Sequence, residues 1–246
     1  MSQHTTEPPL RFLDAGETAL VIEFGSTVNP EISARVLALD AALASLALPG
    51  LRETVPTYRS LMVHYDPLAL PRETLIEAVQ RAGRIGSPEP ARRSLWTLPC
   101  CYDGARAEDL AQIAELAGRT PSAVVALHSE ARYRVYMYGF APGFCYLGGT
   151  PPELAVSRRA SPRPPTPPNV VLVAGGLSLI STVSMPTGWW IVGTTPERMF
   201  APAREPVFLA EVGDEIAFEP VDETTFLELE CRAASGETVA RRADCG

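Results

Sequence analysis

Cys145 and His128 are the residue types that together make an activated nucleophile, because an imidazole beside a thiol lowers the thiol's pKa. Cys145 stands in Gly143-Phe144-Cys145-Tyr146-Leu147-Gly148-Gly149. The spacing leaves a second reading open, in which Cys145 packs as a small apolar residue between two aromatic rings. Arg163 lies among the prolines of Ser161–Pro168, where its planar fork would grip both oxygens of a carboxylate; the other reading is a solvated loop arginine. Phe140, Pro142, Phe144 and Tyr146 interleave rings with turn residues, and Gly175, Gly176 and Trp189 carry the same texture further along. Rings for walls and glycines for a floor suit a small-molecule pocket or a peptide groove. The same rings could instead plug the end of a barrel.

Other chemistries are excluded by what the chain lacks. It has no G-x-S-x-G, H-E-x-x-H or G-x-G-x-x-G run,. With three histidines, one of them at position 4, a histidine-rich metal centre is out of reach and no metal is expected,. The five cysteines form no C-x-x-C pair and read as free thiols,. All 21 basic residues are arginine, so the chain holds no P-loop, Schiff-base or biotin-carrying lysine,. A net charge of −8 disfavours nucleic acid as a partner,. No apolar run reaches the ~18 residues of a membrane span, and the N-terminal residues lack the pattern of a signal peptide. A cytoplasmic location is expected.

The elements that would position these residues fall into two groups. Residues 1–9 read as a disordered tail. Residues 10–85 read as an α+β domain in the order β-β-α-β-β-α, helices against an antiparallel sheet. Its first helix has Asn29 as N-cap, Pro30 at the first position and a stripe of Ile32, Val36, Leu39, Leu43 and Leu46,. Residues 86–93 have linker composition. Residues 94–235 begin with a strand and two helical pieces, then change to short β-type runs between Gly/Pro turns, the pattern of a mostly-β barrel or sandwich. Phe226–Cys231 is counted among these strands, Ser161–Pro168 is expected as an extended surface loop, and 236–246 as a frayed tail.

Tyr58-Arg59-Ser60-Leu61-Met62-Val63-His64-Tyr65-Asp66-Pro67, Tyr136-Met137-Tyr138-Gly139-Phe140-Ala141-Pro142-Gly143-Phe144, Ala174-Gly175-Gly176 and Gly193-Thr194-Thr195-Pro196 resemble the KipI/PxpB family, also known as the 5-oxoprolinase B subunit or allophanate hydrolase subunit 1. The resemblance spans nearly the whole chain. It implies a cyclophilin-like barrel for the second domain and a PxpC-like partner (allophanate hydrolase subunit 2). With a PxpA-like third subunit, such chains form an ATP-dependent hydrolase that opens 5-oxoproline; one branch of the family instead inhibits a histidine kinase. ATP would then be bound wholly or partly by a partner subunit. On the matched positions, Arg163 would hold a carboxylate while His128 and Tyr136 supply proton transfer or hydrogen bonds. The sequence departs from the family pattern where Thr-Arg-Val-Pro-Ala-Gly-Ser-Val-Gly has become Pro164–Leu172, and where Gly-Gly-Gln-Thr-Gly-Ile-Tyr has become Gly175–Ser181. Pro165, Leu172, Leu177 and Ser181 are expected to flank the cleft, to make it more apolar and to suit it to a less polar substrate.

Overall fold

The computed structural model describes residues 9–83 and 93–245, so most of the expected tail at 1–9 and of the expected linker at 86–93 lies outside the described residues. The chain divides into two compact units, Met1–Ala91 and Arg92–Gly246. The first unit contains β1 (Arg11–Asp14), β2 (Ala19–Glu23), α1 (Pro30–Leu46), β3 (Leu51–Pro56), β4 (Ser60–Tyr65) and α2 (Arg72–Ala82). Its strands form one antiparallel sheet in the order β1-β2-β4-β3. The Asn29 side chain accepts the N–H groups of Glu31 and Ile32 and fixes the start of α1, with Pro30 in the first turn,. Val36, Leu39 and Leu43 are buried against Leu20, Ile22, Leu61 and Val63. The stripe ends sooner than the spacing predicts. Leu46 is 41% exposed, because the chain leaves the helix at Ala47 in a left-handed conformation.

The second unit contains β5 (Arg93–Cys101), α3 (Leu110–Ala117), α4 (Pro121–Glu130), β6 (Tyr133–Tyr138), β7 (Cys145–Gly148), β8 (Arg163–Thr166), β9 (Val170–Ala174), β10 (Leu177–Ile180), β11 (Met185–Thr187), β12 (Trp190–Thr194), β13 (Glu215–Val221), α5 (Glu223–Ala234) and β14 (Arg241–Cys245). Seven strands run β12-β9-β10-β7-β6-β13-β5, and β12 meets β5 again, so the sheet closes on itself. This is the expected barrel. β5 pairs with β13 along Leu95–Cys101; its other side is shared by β14, along residues 93–97, and by β12 at Cys101. Alternation along the strands sends Val171, Val173, Cys145, Leu147, Val192 and Ile216 into the main core, which α3 and α4 complete with Ile113 and Val124,.

Val170, Leu172, Ala174, Leu179 and Ile191 point the other way and form a separate buried layer with Phe144 and Trp189. β8 and β11 pair as a two-stranded ribbon, and Met185 of that ribbon packs against the layer. The proline-rich stretch is therefore partly a strand. Pro164 and Pro165 are tolerated there because a two-stranded ribbon has no second neighbour that needs their N–H groups.

Two further expectations are corrected. Phe226–Cys231 lies within α5, where Asp222 accepts the Thr225 N–H as N-cap. Residues 241–245 are not frayed; they pair in register with β5. Among the described residues no helix is long and apolar enough to cross a membrane.

Candidate functional site

The turn between β6 and β7 is built by its own backbone. Ala141 N–H donates to the Gly139 carbonyl at 2.9 Å and Phe144 N–H to the Ala141 carbonyl at 3.0 Å. Phe140 takes a positive φ of 71° with its ring 73% exposed. Gly143 also has a positive φ, and a Cβ there would lie 2.4 Å from Phe200 Cβ, so only glycine lets the turn close on that ring,. The Thr182 hydroxyl donates to the Pro142 carbonyl at 2.7 Å and ties the turn to the end of β10.

Pinned in this way, the turn forms one wall of an open cleft of about 310 Å³, lined by Pro142, Pro168, Asn169, Thr182, Val183, Arg198 and Phe200. Asn169 immediately precedes β9 at φ 64°, a left-handed conformation that asparagine accepts more readily than other non-glycine residues. Its N–H donates to Ser181 and its carbonyl accepts from Thr195, while its side-chain amide has no hydrogen bond among the described residues.

Beside Arg198, Glu197 is wholly buried. Its carboxylate accepts from Arg198 N–H at 2.9 Å, Arg204 at 3.0 Å, and the N–H groups of Val239 and Ala240 at 2.7 Å each. Arg198 itself is exposed, and no carboxylate of the described residues pairs with its guanidinium. The cleft therefore presents one unopposed positive charge, an amide and an apolar wall. Its lining holds no carboxylate, imidazole or thiol, so it can grip an anionic group but cannot by itself move a proton or attack a carbonyl.

The residues expected to do chemistry are scattered. His128 on α4 is fully buried, with Nδ1 2.8 Å from the Tyr102 hydroxyl and its ring among Tyr102, Tyr133 and Phe218. Nε2 has no partner among the described residues, and burial lowers the pKa to about 3,. Cys145 is buried in the main core, and the same desolvation pushes its thiol up to about 12, so it is a packing residue. Tyr136 is 3% exposed in β6, its ring filling the space that Gly148 leaves free; burial raises its hydroxyl pKa. Arg163 ion-pairs with Asp109 and, at 2.6 Å, with Glu108. Asp109 also holds Arg159 and accepts the Ile191 N–H at 2.8 Å. Arg163 thus fastens the ribbon to the barrel and is not free to receive an anion.

Of the expected lining residues, Pro142 is in the cleft wall. Phe140, Phe144 and Tyr146 form a chain of rings with centroids 5.3 Å apart, leading from the exposed turn to the outer layer. Trp189 belongs to that layer and lies under the Arg158 guanidinium. Gly175 and Gly176, both at positive φ, are the two-residue turn of the β9–β10 hairpin,; Asn169 and Thr182 lie at the hairpin's other end.

The apolar departures are also relocated. Leu172 is fully buried, pairs across strands with Leu179, and together with Leu177 belongs to the outer layer. Ser181 is buried, with its hydroxyl 3.5 Å from the Val170 carbonyl. These residues pack the barrel wall; they do not make the cleft more apolar.

Sequence reasoning missed Asn169, Thr182, Arg198 and Phe200. One signal was present: asparagine stands where the family pattern has glycine, which marks a position of unusual backbone. Arg198 carried none, because nothing local distinguishes it from the other arginines. Among the described residues no three His, Cys, Asp or Glu side chains converge as metal ligands do.

The family described as "Carboxyltransferase domain, subdomain C and D" matches residues 10–210. The chain is 32% identical over 222 residues to the 5-oxoprolinase B subunit of Bacillus subtilis (strain 168), covering 86% of this chain and 92% of that protein. It is 34% identical over 212 residues to the 5-oxoprolinase B subunit of Escherichia coli O157:H7, covering 85% and 94%. The crystal structure of TTHA0988 superposes with a TM-score of 0.74 at 37% identity, over 83% of this chain but only 40% of that longer one.

Proposed function

Because this chain belongs to the family of 5-oxoprolinase B subunits, which carries the carboxyltransferase domain, subdomain C and D, we propose that it is the B-type component of an ATP-dependent 5-oxoprolinase-type hydrolase, acting with PxpC-like and PxpA-like subunits. The observation that carries this reading is the incompleteness of the cleft, which offers a cation and an apolar wall but no base or nucleophile. Opening a lactam adds one water across its C–N bond and leaves a carboxylate and an amine. Some group must activate that water, and an amide needs its carbonyl made more electrophilic before water attacks. In this reading those tasks, and the ATP that drives them, fall wholly or largely to the partner subunits. A chain without lysine suits that division. The closed barrel is read as cyclophilin-like, with the Gly139–Phe144 turn and the cleft contributing to a site completed in the assembly.

The test is co-expression with the nearest PxpC-like and PxpA-like chains and measurement of glutamate release from 5-oxoproline with and without ATP. ATP-dependent release that disappears when this chain is left out is the expected result. An assembled complex that releases no glutamate, or one that releases it equally well without this chain, overturns the reading.

A further inference from the structure

We propose that the cleft at Arg198 is a carboxylate-binding site. It takes a small monocarboxylic acid with its carboxylate on the Arg198 guanidinium and the Asn169 amide, and its compact ring against Phe200, Pro142 and Val183. The proposal deepens the functional reading above by naming the group through which a cyclic substrate is held, and rests on that reading only for the size of the ring.

Charge is the first argument. In a chain of net charge −8, an anion binds only where a positive charge is local and uncompensated. Six arginines of the barrel unit answer to carboxylates: Arg106 to Glu223, Arg159 and Arg163 to Asp109, Arg204 to Glu197, Arg232 to Glu237, and Arg241 to Glu219. Of the described arginines without such a pair, among them Arg119, Arg132 and Arg158, Arg198 is the one that lines this cleft. It has no such pair although a glutamate precedes it in sequence. The Glu197 carboxylate is turned inward, neutralised by Arg204 and saturated by three backbone N–H groups, so its charge does not cancel that of its neighbour.

The second argument is shape. An exposed arginine on a convex surface is simply hydrated, but this one lines a concavity whose other walls are a phenylalanine ring, two prolines and a valine. A volume of about 310 Å³ stands at the small end of ligand pockets, roughly 300–1,000 Å³. The Thr182 hydroxyl already donates to Pro142, and the backbone N–H of Asn169 is bound to Ser181. The remaining side-chain donors are the guanidinium and one amide. That set matches one carboxylate, whose two oxygens fit the arginine fork. A phosphate ester, with more charge and more acceptor oxygens, would be left short of partners.

Gly143 supplies a handle on the apolar wall that leaves the charge in place. Its Cβ would meet Phe200 Cβ at 2.4 Å, Phe200 N at 3.1 Å and Thr182 Cγ2 at 3.2 Å, so an alanine there forces the turn and Phe200 apart while the Arg198 side chain is retained.

Ligand titrations followed by NMR on the full-length chain test the proposal, with cyclopentanecarboxylate and the uncharged cyclopentanecarboxamide as probes and circular dichroism as the check of folding. The wild type is expected to bind the acid saturably and at least tenfold more tightly than the amide. Arg198→Gln should abolish that preference, whereas Gly143→Ala should weaken acid and amide alike. Equal affinities for the two probes in the wild type, an unchanged preference in Arg198→Gln, or no saturable binding of the acid by the folded wild type each overturns the site. The result separates from the functional reading. Arg198-dependent binding of the acid alongside a complex that releases no glutamate keeps the site and removes the hydrolase, and the converse pair of results does the reverse.

Discussion

Burial strips His128 of the proton it would otherwise share at neutral pH, and that loss has a measurable sign. Its pKa is about 3 in the folded chain against ~6.5 when unfolded. Between those values the unfolded chain binds the extra proton, so this residue's contribution is complete above about pH 6.5 and is lost as pH falls toward 3. From pH 7.5 to pH 5 the expected loss is about 2 kcal/mol. A His128→Phe variant keeps a ring beside Tyr133 and Phe218 and removes both the titration and the unpartnered Nε2. Urea unfolding at the two pH values should show the variant losing about 2 kcal/mol less than the wild type. Equal losses in the two proteins would mean that His128 is not held neutral. A sequence shows that a histidine and an arginine exist, but not that the one is buried and the other already paired with Asp109 and Glu108; Cys145 packs in the core, as its alternative reading had it.

Glu197 is where the segment after β12 and the approach to β14 are tied together. Its four accepted hydrogen bonds come from Arg198, Arg204, Val239 and Ala240. Replacing it with alanine leaves Arg204 without its counter-charge and two adjacent N–H groups without an acceptor. The expected cost is about 3–5 kcal/mol, read as a lower denaturant midpoint, and a change below about 1 kcal/mol would show that water replaces the carboxylate. Long-range ties of this kind are invisible along the chain, whereas local signals were readable. Asn29-Pro30 marked α1, and turn residues marked most barrel strands. α5 was misread because Phe226-Leu227-Glu228-Leu229-Glu230 alternates like a strand, yet the chain buries Phe226 and Ala233, two helical turns apart, and leaves Leu227 46% exposed. The Asp222 cap was the available clue. β14, Arg-Arg-Ala-Asp-Cys, gave no clue, since what defines it is backbone pairing with β5.

For the whole molecule, the division into two units and the β-rich character of the second were legible because both follow from patterning that accumulates over many residues. The cleft was legible only in part. The Gly139–Phe144 turn announced itself by composition, but its opposite wall comes from residues 168–169, 182–183, 198 and 200, which only the closure of the barrel brings together. That closure is uneven. β12 reaches β5 at the single pair Thr194–Cys101, and β14 occupies residues 93–97 of the same side. β14 then forms the edge itself, and its Arg241, Arg242 and Asp244 make that edge a charged one, which guards against pairing with a second chain,. Without β14, β5 would show a row of bare N–H and C=O groups to its surroundings, a template on which a second chain can pair. A chain cut after Ala240 keeps every Glu197 contact, and light scattering should find it self-associating as its concentration rises while the intact protein does not. If the shortened chain stays as dispersed as its parent, β14 has no such guarding role.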